Sequence, residues 1–150
     1  VDLAELLADT IEKMHTVTTS HEVTLGRNDP ATVSADPVLL RQLLRIFLEN
    51  SVKYTPPGGH IHAYSIRSND GSSVTVTLTD DGIGIAPEHQ ARIFDRFYRV
   101  DSSRTKETGG SGLGLSIARW IAEQHGIRIA VKSAEGQGTA ISLVMPTLKS

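Results

Sequence analysis

Apolar residues recur at helical spacing from the start of the chain. Leu3, Leu6, Leu7, Ile11 and Met14 share one face of LAELLADTIEKMH, which predicts an amphipathic helix from Leu3 to His15. HEVTLGR and ATVSA, residues 21–27 and 31–35, read as short strands around an Asp29–Pro30 turn. Asp36 then supplies an N-cap and Pro37 the first helical position. Leu40, Leu44, Phe47 and Leu48, continued by Val52, form the buried stripe of a helix running to about Lys53. TPPGG stops it. Two strands follow, Ile61 to Arg67 and Val74 to Thr79, joined by a turn at SNDG. DDGIGIAP reads as a loop, EHQARIF as a short helix, and the polar, aperiodic YRVDSSRTKETGG as a mobile loop. A helix from about Gly112 to His125 comes next. IRIAVKS and TAISLVM, joined by a turn at AEGQG, close the chain as two strands. Two adjacent strand pairs, each read as a hairpin, set among helices predict an α+β sandwich and not an alternating parallel sheet.

Composition narrows the chemistry. At 150 residues, 39% hydrophobic and 21% charged, the chain is read as one globular domain spanning residues 1–150. A net charge of −2 gives no bulk attraction for nucleic acid or a membrane surface. The absence of cysteine excludes disulfides, thiolate catalysis and cysteine-ligated zinc. No run approaches a membrane span and no signal peptide is visible. The chain opens at Val1 in what reads as helix, so it is taken as part of a longer protein.

Three stretches carry candidate chemistry. In GGSGLGLSIAR, glycines at alternate positions run into a helix, where bare N–H groups attract anions. Two common phosphate codes fail here. Gly109 to Ser116 has Walker spacing, but Leu115 stands at the lysine; the dinucleotide fingerprint fails because the same Leu115 replaces its third glycine and a polar loop precedes it. A flexible linker before a helix remains the plainer account. In VTVTLTDDGIGIA, Val74, Val76 and Leu78 alternate with threonines, so Asp80 is in phase with the apolar face and Asp81 falls on the other, solvated one. An inward carboxylate needs a donor, and Gly82 and Gly84 let a flat group approach the backbone; an Asx turn ending the strand is the bland alternative. In LLRIFLENSVKYTPPGG, Asn50, Lys53 and Tyr54 share a helix face. An amide oxygen suits Mg²⁺, an ammonium a phosphate, an aromatic ring a base. A helix-dipole lysine and a half-buried tyrosine would look the same.

Taken together, these stretches resemble the catalytic ATP-binding domain of sensor histidine kinases, which shares the Bergerat fold with the gyrase B, HSP90 and MutL ATPases. LLRIFLENSVKYTPPGG resembles the N box, DDGIGIA the G1 box, IFDRFYRVD the F box, GGSGLGLSIAR the G2 box and EGQGTAISLVMP the closing segment, in family order over almost the whole chain. The resemblance implies a two-layer α/β sandwich: a mixed, mostly antiparallel sheet, helices packed on one face and an ATP lid loop. It implies that Asp80 accepts from the adenine amino group, Gly82, Gly84 and Ile85 shape the base pocket, and Thr139 places a hydroxyl deep within it. Asn50 would hold Mg²⁺, Lys53 neutralise phosphate charge and Tyr54 pack near the base. Phe94 and Phe97 would anchor the lid; Gly110, Gly112, Leu113 and Gly114 would cradle the phosphates. Arg96, Arg99 and Arg104 are lid candidates for the γ-phosphate, so the catalytic set is Asn50, Lys53 and Arg99.

Departures from the family pattern also inform. Many members carry a second asparagine where Ile46 stands, so Mg²⁺ would rest on fewer protein ligands, with Glu49 nearby. In the gyrase and HSP90 branch that position is the glutamate that activates water, and Ile46 disfavours self-contained hydrolysis. Ile127 replaces a second glycine after EQHG, which implies a slightly altered turn. No histidine here has the context of a phosphoacceptor; His21-Glu22 lies in strand-like sequence, and all six are read as structural or solvent-facing. The acceptor would sit on a dimerisation domain of the same receptor outside this chain. The implied activity is ATP binding and γ-phosphoryl donation to that histidine, with a response regulator as indirect partner. The implied setting is a cytoplasmic, monomeric domain of a membrane-anchored receptor, without direct membrane contact. A Bergerat-type ATPase, a serine kinase of the anti-sigma kind and a non-catalytic nucleotide-binding module are the rival readings.

Overall fold

The computed structural model describes residues 1–85, 87–90, 93 and 114–148. Helix α1 (Leu3–Val17) and strand β1 (Glu22–Asn28) lead into helix α2 (Pro37–Tyr54). Strands β2 (His60–Arg67) and β3 (Ser73–Asp80) follow, then the short helix α3 (Pro87–Gln90). Helix α4 (Gly114–His125) precedes strands β4 (Arg128–Ser133) and β5 (Thr139–Pro146). The five strands form one sheet in the order β1-β2-β3-β5-β4. The β2–β3, β3–β5 and β4–β5 pairs are antiparallel. Only β1 and β2 run parallel, because the chain between them crosses over through α2. This is the α+β sandwich with two hairpins that the residue pattern predicts.

Strand phase decides which face is covered. Val74 opposes Met145, Val76 opposes Leu143 and Leu78 opposes Ile141 across β3 and β5. Ala63, Ile129 and Val131 extend the same face onto β2 and β4. Against it pack Leu3, Leu7 and Ile11 of α1, Leu40, Leu43, Leu44 and Leu48 of α2, and Ala118 and Ile121 of α4. A fully buried leucine contributes about 2 kcal/mol. Four such leucines on α2 therefore fix that helix, and with it the face bearing Asn50, against the sheet.

Asp36 caps α2 as expected, its Oδ1 accepting from Val38 N at 2.9 Å and Leu39 N at 3.2 Å. Asp36→Ala is expected to lower stability by about 1 kcal/mol, read as a lower urea midpoint at unchanged m-value. The expected strand at 31–35 is not formed. The segment makes a bridge between Asp2 and Thr32 and accepts from Leu148 N at Thr32 O; the pairing does not run on past Asp2 because Asp2 is the N-cap of α1 and the chain turns there into helix. The turn after β2 follows its chemistry closely. Asp70 accepts from Ser72 N, Ser68 Oγ and Ser72 Oγ, which holds its carboxyl down to about 2.

Candidate functional site

The covered face of the sheet changes character at one end. Its last row runs Val23, Ile61, Asp80, Thr139, Ser133 across the five strands. The first two are buried and apolar; the other three are polar and half-buried. Asp80 thus occupies the inward position that strand phase assigns, and Thr139 lies directly opposite it. Burial raises the Asp80 carboxyl above the ordinary carboxylate range. Three donors pull the other way, namely the Gly82 N–H (3.0 Å to Oδ1), the Ser51 hydroxyl and the Thr139 N–H. Its neighbour Asp81 has the opposite fate. It is exposed and held below the usual range by the backbone N–H and ring of His60, with Nδ1 2.8 Å from Oδ2. Two adjacent carboxylates are thereby differentiated, one kept for the interior and one spent on the surface.

The loop after β3 is tied down from both sides. Ile83 N donates to Tyr54 O (3.1 Å), which fastens it to the end of α2. Gly136 N donates to Ile83 O (2.6 Å), and Ile85 N donates to Ser133 Oγ (2.7 Å). Ser133 in turn donates to Gly138 O and lies 2.9 Å from Thr139 Oγ1, so one hydroxyl joins the loop, the β4–β5 turn and Thr139. Gln90 Nε2 donates to both Ile85 O and Ser133 O at 2.8 Å, closing the same junction. The glycines answer to this packing. A Cβ on Gly82 would press on Tyr54 O, Thr55 Oγ1 and Asp80 Oδ1; one on Gly84, at φ +73°, would collide with the Ala134 carbonyl. A cleft of about 370 Å³ borders this end of the sheet, its walls including Asp80, Ser133, Gly138 and Thr139. Thr79 and Lys132 also line it, and they belong to the uncovered face, so this cleft reaches the row from the side away from α2.

Helix α2 contributes the other wall. Asn50 is half-buried, Lys53 exposed and Tyr54 half-buried, all on the last two turns. Ile46, one turn earlier on the Asn50 face, packs against the core and stands 3.7 Å from where a Cβ on Gly114 would be. Since Gly114 opens α4, that face of α2 is aligned with the N-terminus of α4, where bare N–H groups favour an anion. Glu49 is on a different face, bonded to Arg45 at 3.0 Å. The structure therefore brings Asn50, Lys53, Tyr54, Asp80, Gly82, Gly84, Ile85, Gly114 and Thr139 to one end of the sandwich. Phe94, Arg96, Phe97, Arg99, Arg104, Gly110, Gly112 and Leu113 lie outside the described residues.

The histidines do structural work where the structure describes their bonds. His15 Nε2 lies 2.8 Å from Val23 O, His21 Nε2 2.6 Å from Thr55 O, and His62 Nδ1 2.7 Å from Thr24 Oγ1. His125 bonds Ile121 O and accepts from Asp36 N. Among the described residues, no group of three His, Asp or Glu side chains could hold a metal ion.

Residues 35–149 match the family model described as histidine kinase-, DNA gyrase B- and HSP90-like ATPase. The chain belongs to this family. Sensor histidine kinase YkoH of Bacillus subtilis is 46% identical over 111 residues, 74% of this chain and 24% of YkoH. Among solved structures, a mycobacterial sensor histidine kinase, MprB, superposes with a TM-score of 0.88 at 29% identity, covering 100% of this chain and 99% of that one. Full-length ShkA in complex with AMPPNP superposes with a TM-score of 0.83 at 31% identity, covering 100% of this chain and 31% of ShkA. The chain spans 19% to 36% of the length of the first curated relatives it matches. The family match takes in α2, Asp80, Thr139, Ser133 and α4, so the geometric site falls inside it. Among the described residues, no helix is long and apolar enough to cross a membrane.

Sequence reasoning missed Ser51, Ser133 and Gln90. Ser51 was legible: it lies four residues after Phe47 on the apolar stripe and is 7% exposed, whereas Val52, taken to continue that stripe, is only half-buried. A hydroxyl on a buried stripe requires a partner, and the Ser51 hydroxyl is among the groups that pull the Asp80 carboxyl down. Ser133 and Gln90 join local partners to distant ones, Ser133 Oγ to Ile85 N and Gln90 Nε2 to Ser133 O, and no local pattern announces that union.

Proposed function

We propose that this domain binds Mg²⁺-ATP and donates the γ-phosphoryl group to a histidine on a separate dimerisation domain, in two-component signalling. The observation that carries the reading is Asp80, an inward carboxylate that accepts the Gly82 N–H at the end of the covered face, opposite Thr139. Such a group can accept from the exocyclic amine of a purine, and Thr139 and Ile85 would border the base. The alignment of Asn50 and Lys53 with the N-terminus of α4 supports placing the triphosphate there. Membership of the family and the nucleotide analogue bound by ShkA support the same ligand class.

Asn50 fits a magnesium ligand by chemistry, a hard amide oxygen on the helix face turned toward the phosphate end, with Lys53 as a second phosphate counter-charge. When bound, the ion would neutralise charge on the phosphates. The chain's own part is to orient the nucleotide and exclude water, as positioning and electrostatic stabilisation dominate phosphoryl transfer. Arg99, Arg96 and Arg104 would complete that stabilisation from the lid, and Phe94 and Phe97 would anchor it. Gly110, Gly112 and Leu113 would continue the phosphate cradle from Gly114. Tyr54 would pack near the base. The phosphoacceptor domain, the response regulator as indirect partner, and a cytoplasmic position in a larger receptor belong to the same proposal. Ile46, half-buried against the core, stands where an ATPase of this family would need a water-activating carboxylate, which favours transfer over hydrolysis.

Asn50→Ala tests the metal assignment. It is expected to weaken Mg²⁺-ATP binding about tenfold and metal-free ATP less than twofold. Equal losses in paired calorimetric titrations would remove Asn50 from the metal site.

A further inference from the structure

A serine hydroxyl has one proton to donate and two lone pairs with which to accept. The bonds of Ser133 use all three. Its Oγ lies 2.8 Å from Gly138 O, and a carbonyl only accepts, so Ser133 is the donor there. Ile85 N donates to the same Oγ at 2.7 Å. The remaining contact is with Thr139 Oγ1 at 2.9 Å, where either oxygen can hold the proton. With the Ser133 proton on Gly138 O, the proton between the two hydroxyls belongs to Thr139. Thr139 therefore donates to Ser133 and keeps only lone pairs for any other partner. Asp80 pairs with Thr139 across β3 and β5, borders the same cleft, and is acceptor-only as a carboxylate. Two neighbouring side chains at this end of the sheet thus present acceptors and no donor.

We propose that Ser133 is a positioning residue for base selection: by holding the Thr139 proton it keeps the Thr139 hydroxyl an acceptor, so that the row takes a purine with an amine at position 6 and rejects one with an oxygen there. The proposal rests on the reading of the Asp80 row as the base site. A 6-amino group offers hydrogens to both acceptors. A 6-oxo group sets its own lone pairs against theirs, and leaving such polar groups unpaired is costly. Without Ser133, the Thr139 hydroxyl turns to suit its partner, as hydroxyl protons do, and can donate to the oxygen. Ser133 acts only through Thr139 and touches no ligand itself.

The test compares ADP with inosine 5′-diphosphate, which carries an oxygen at position 6, by calorimetric titration. Wild type is expected to prefer ADP by about 100-fold or more. Ser133→Ala is expected to cut that preference about fivefold to tenfold. Loss of the Ile85 bond weakens both nucleotides alike and cancels in the ratio, so a merely structural role for Ser133 leaves the ratio unchanged. Thr139→Val deletes the hydroxyl and should lower the ratio as far. Adding Ser133→Ala to Thr139→Val should then change it by less than about twofold. Ser133→Cys, similar in shape and a weak donor, should fall between, and it carries the test if the alanine variant fails to fold. An unchanged ratio in the Ser133 variants would overturn the role of Ser133. A full further drop on the Thr139→Val background would overturn it too, because the effect would then bypass Thr139. Equal affinity of wild type for the two nucleotides would instead overturn the base-site reading of the Asp80 row, so the failures are separable.

Discussion

Asp80→Asn is expected to weaken ATP and ADP binding by about 100-fold or more while the domain stays folded. The reason lies in donor bookkeeping. The carboxylate is acceptor-only and receives the Gly82 N–H on Oδ1. An asparagine at this position has one oxygen and an NH₂ group. Whichever way the amide turns, the NH₂ opposes either a protein donor or the purine amine. The Gly82 donor is fixed by the loop, so the amide oxygen goes to it and the ligand meets a donor. Folding suffers less, because burial already works against the charged form of Asp80 and a neutral amide relieves that cost. The unfolding midpoint is therefore expected within about 4 °C of wild type. Calorimetric titration beside thermal unfolding checks both halves. Retention of affinity within about tenfold by a folded Asp80→Asn protein would remove Asp80 as the base acceptor.

Local rules made much of this fold readable, and particular residues show where they stop. The phase of Val74, Val76 and Leu78 placed Asp80 inward, and the structure puts it there opposite Thr139. The Asp36–Pro37 start of α2 followed directly from capping chemistry. Both depend on neighbours within a few residues. The parallel pairing of β1 with β2 depends on the crossover through α2, which no window of either strand contains. The segment at 31–35 had acceptable strand residues, but its pairing with Asp2 ends where Asp2 turns the chain into α1. Gly82 and Gly84 were read as openings for a flat ligand. The structure gives them a prior obligation, since Tyr54 O lies against one and the Ala134 backbone against the other. Ser133 was unremarkable in sequence because its three partners, Ile85, Gly138 and Thr139, gather only when the hairpin and the loop dock.

That prior obligation makes Gly84→Ala the sharpest backbone perturbation available at the site. Alanine at φ +73° costs about 1 kcal/mol in conformational strain. Its Cβ would in addition run into the Ala134 carbonyl, a backbone atom that cannot rotate away, and overpacking of this kind costs about 1–3 kcal/mol. Together these exceed what two loop hydrogen bonds can hold, at about 1 kcal/mol each. The expected result is local undocking of residues 82–85 from the β4–β5 turn, with the core intact. Amide exchange should accelerate at Ile85 and Gly136, whose N–H groups bond Ser133 Oγ and Ile83 O, and stay slow at buried β3 positions such as Val76. Nucleotide affinity should fall by tenfold or more with it, because Asp80 loses its Gly82 donor when the loop leaves. Gly136→Ala separates the two causes. Gly136 sits at φ +79° with nothing within 4 Å of an added Cβ, so it carries the strain without the collision and should cost only about 1 kcal/mol. If the two variants behave alike, the collision with Ala134 is not what holds position 84 to glycine. If Gly84→Ala leaves exchange and affinity untouched, the docked loop is not what sets the geometry of Asp80.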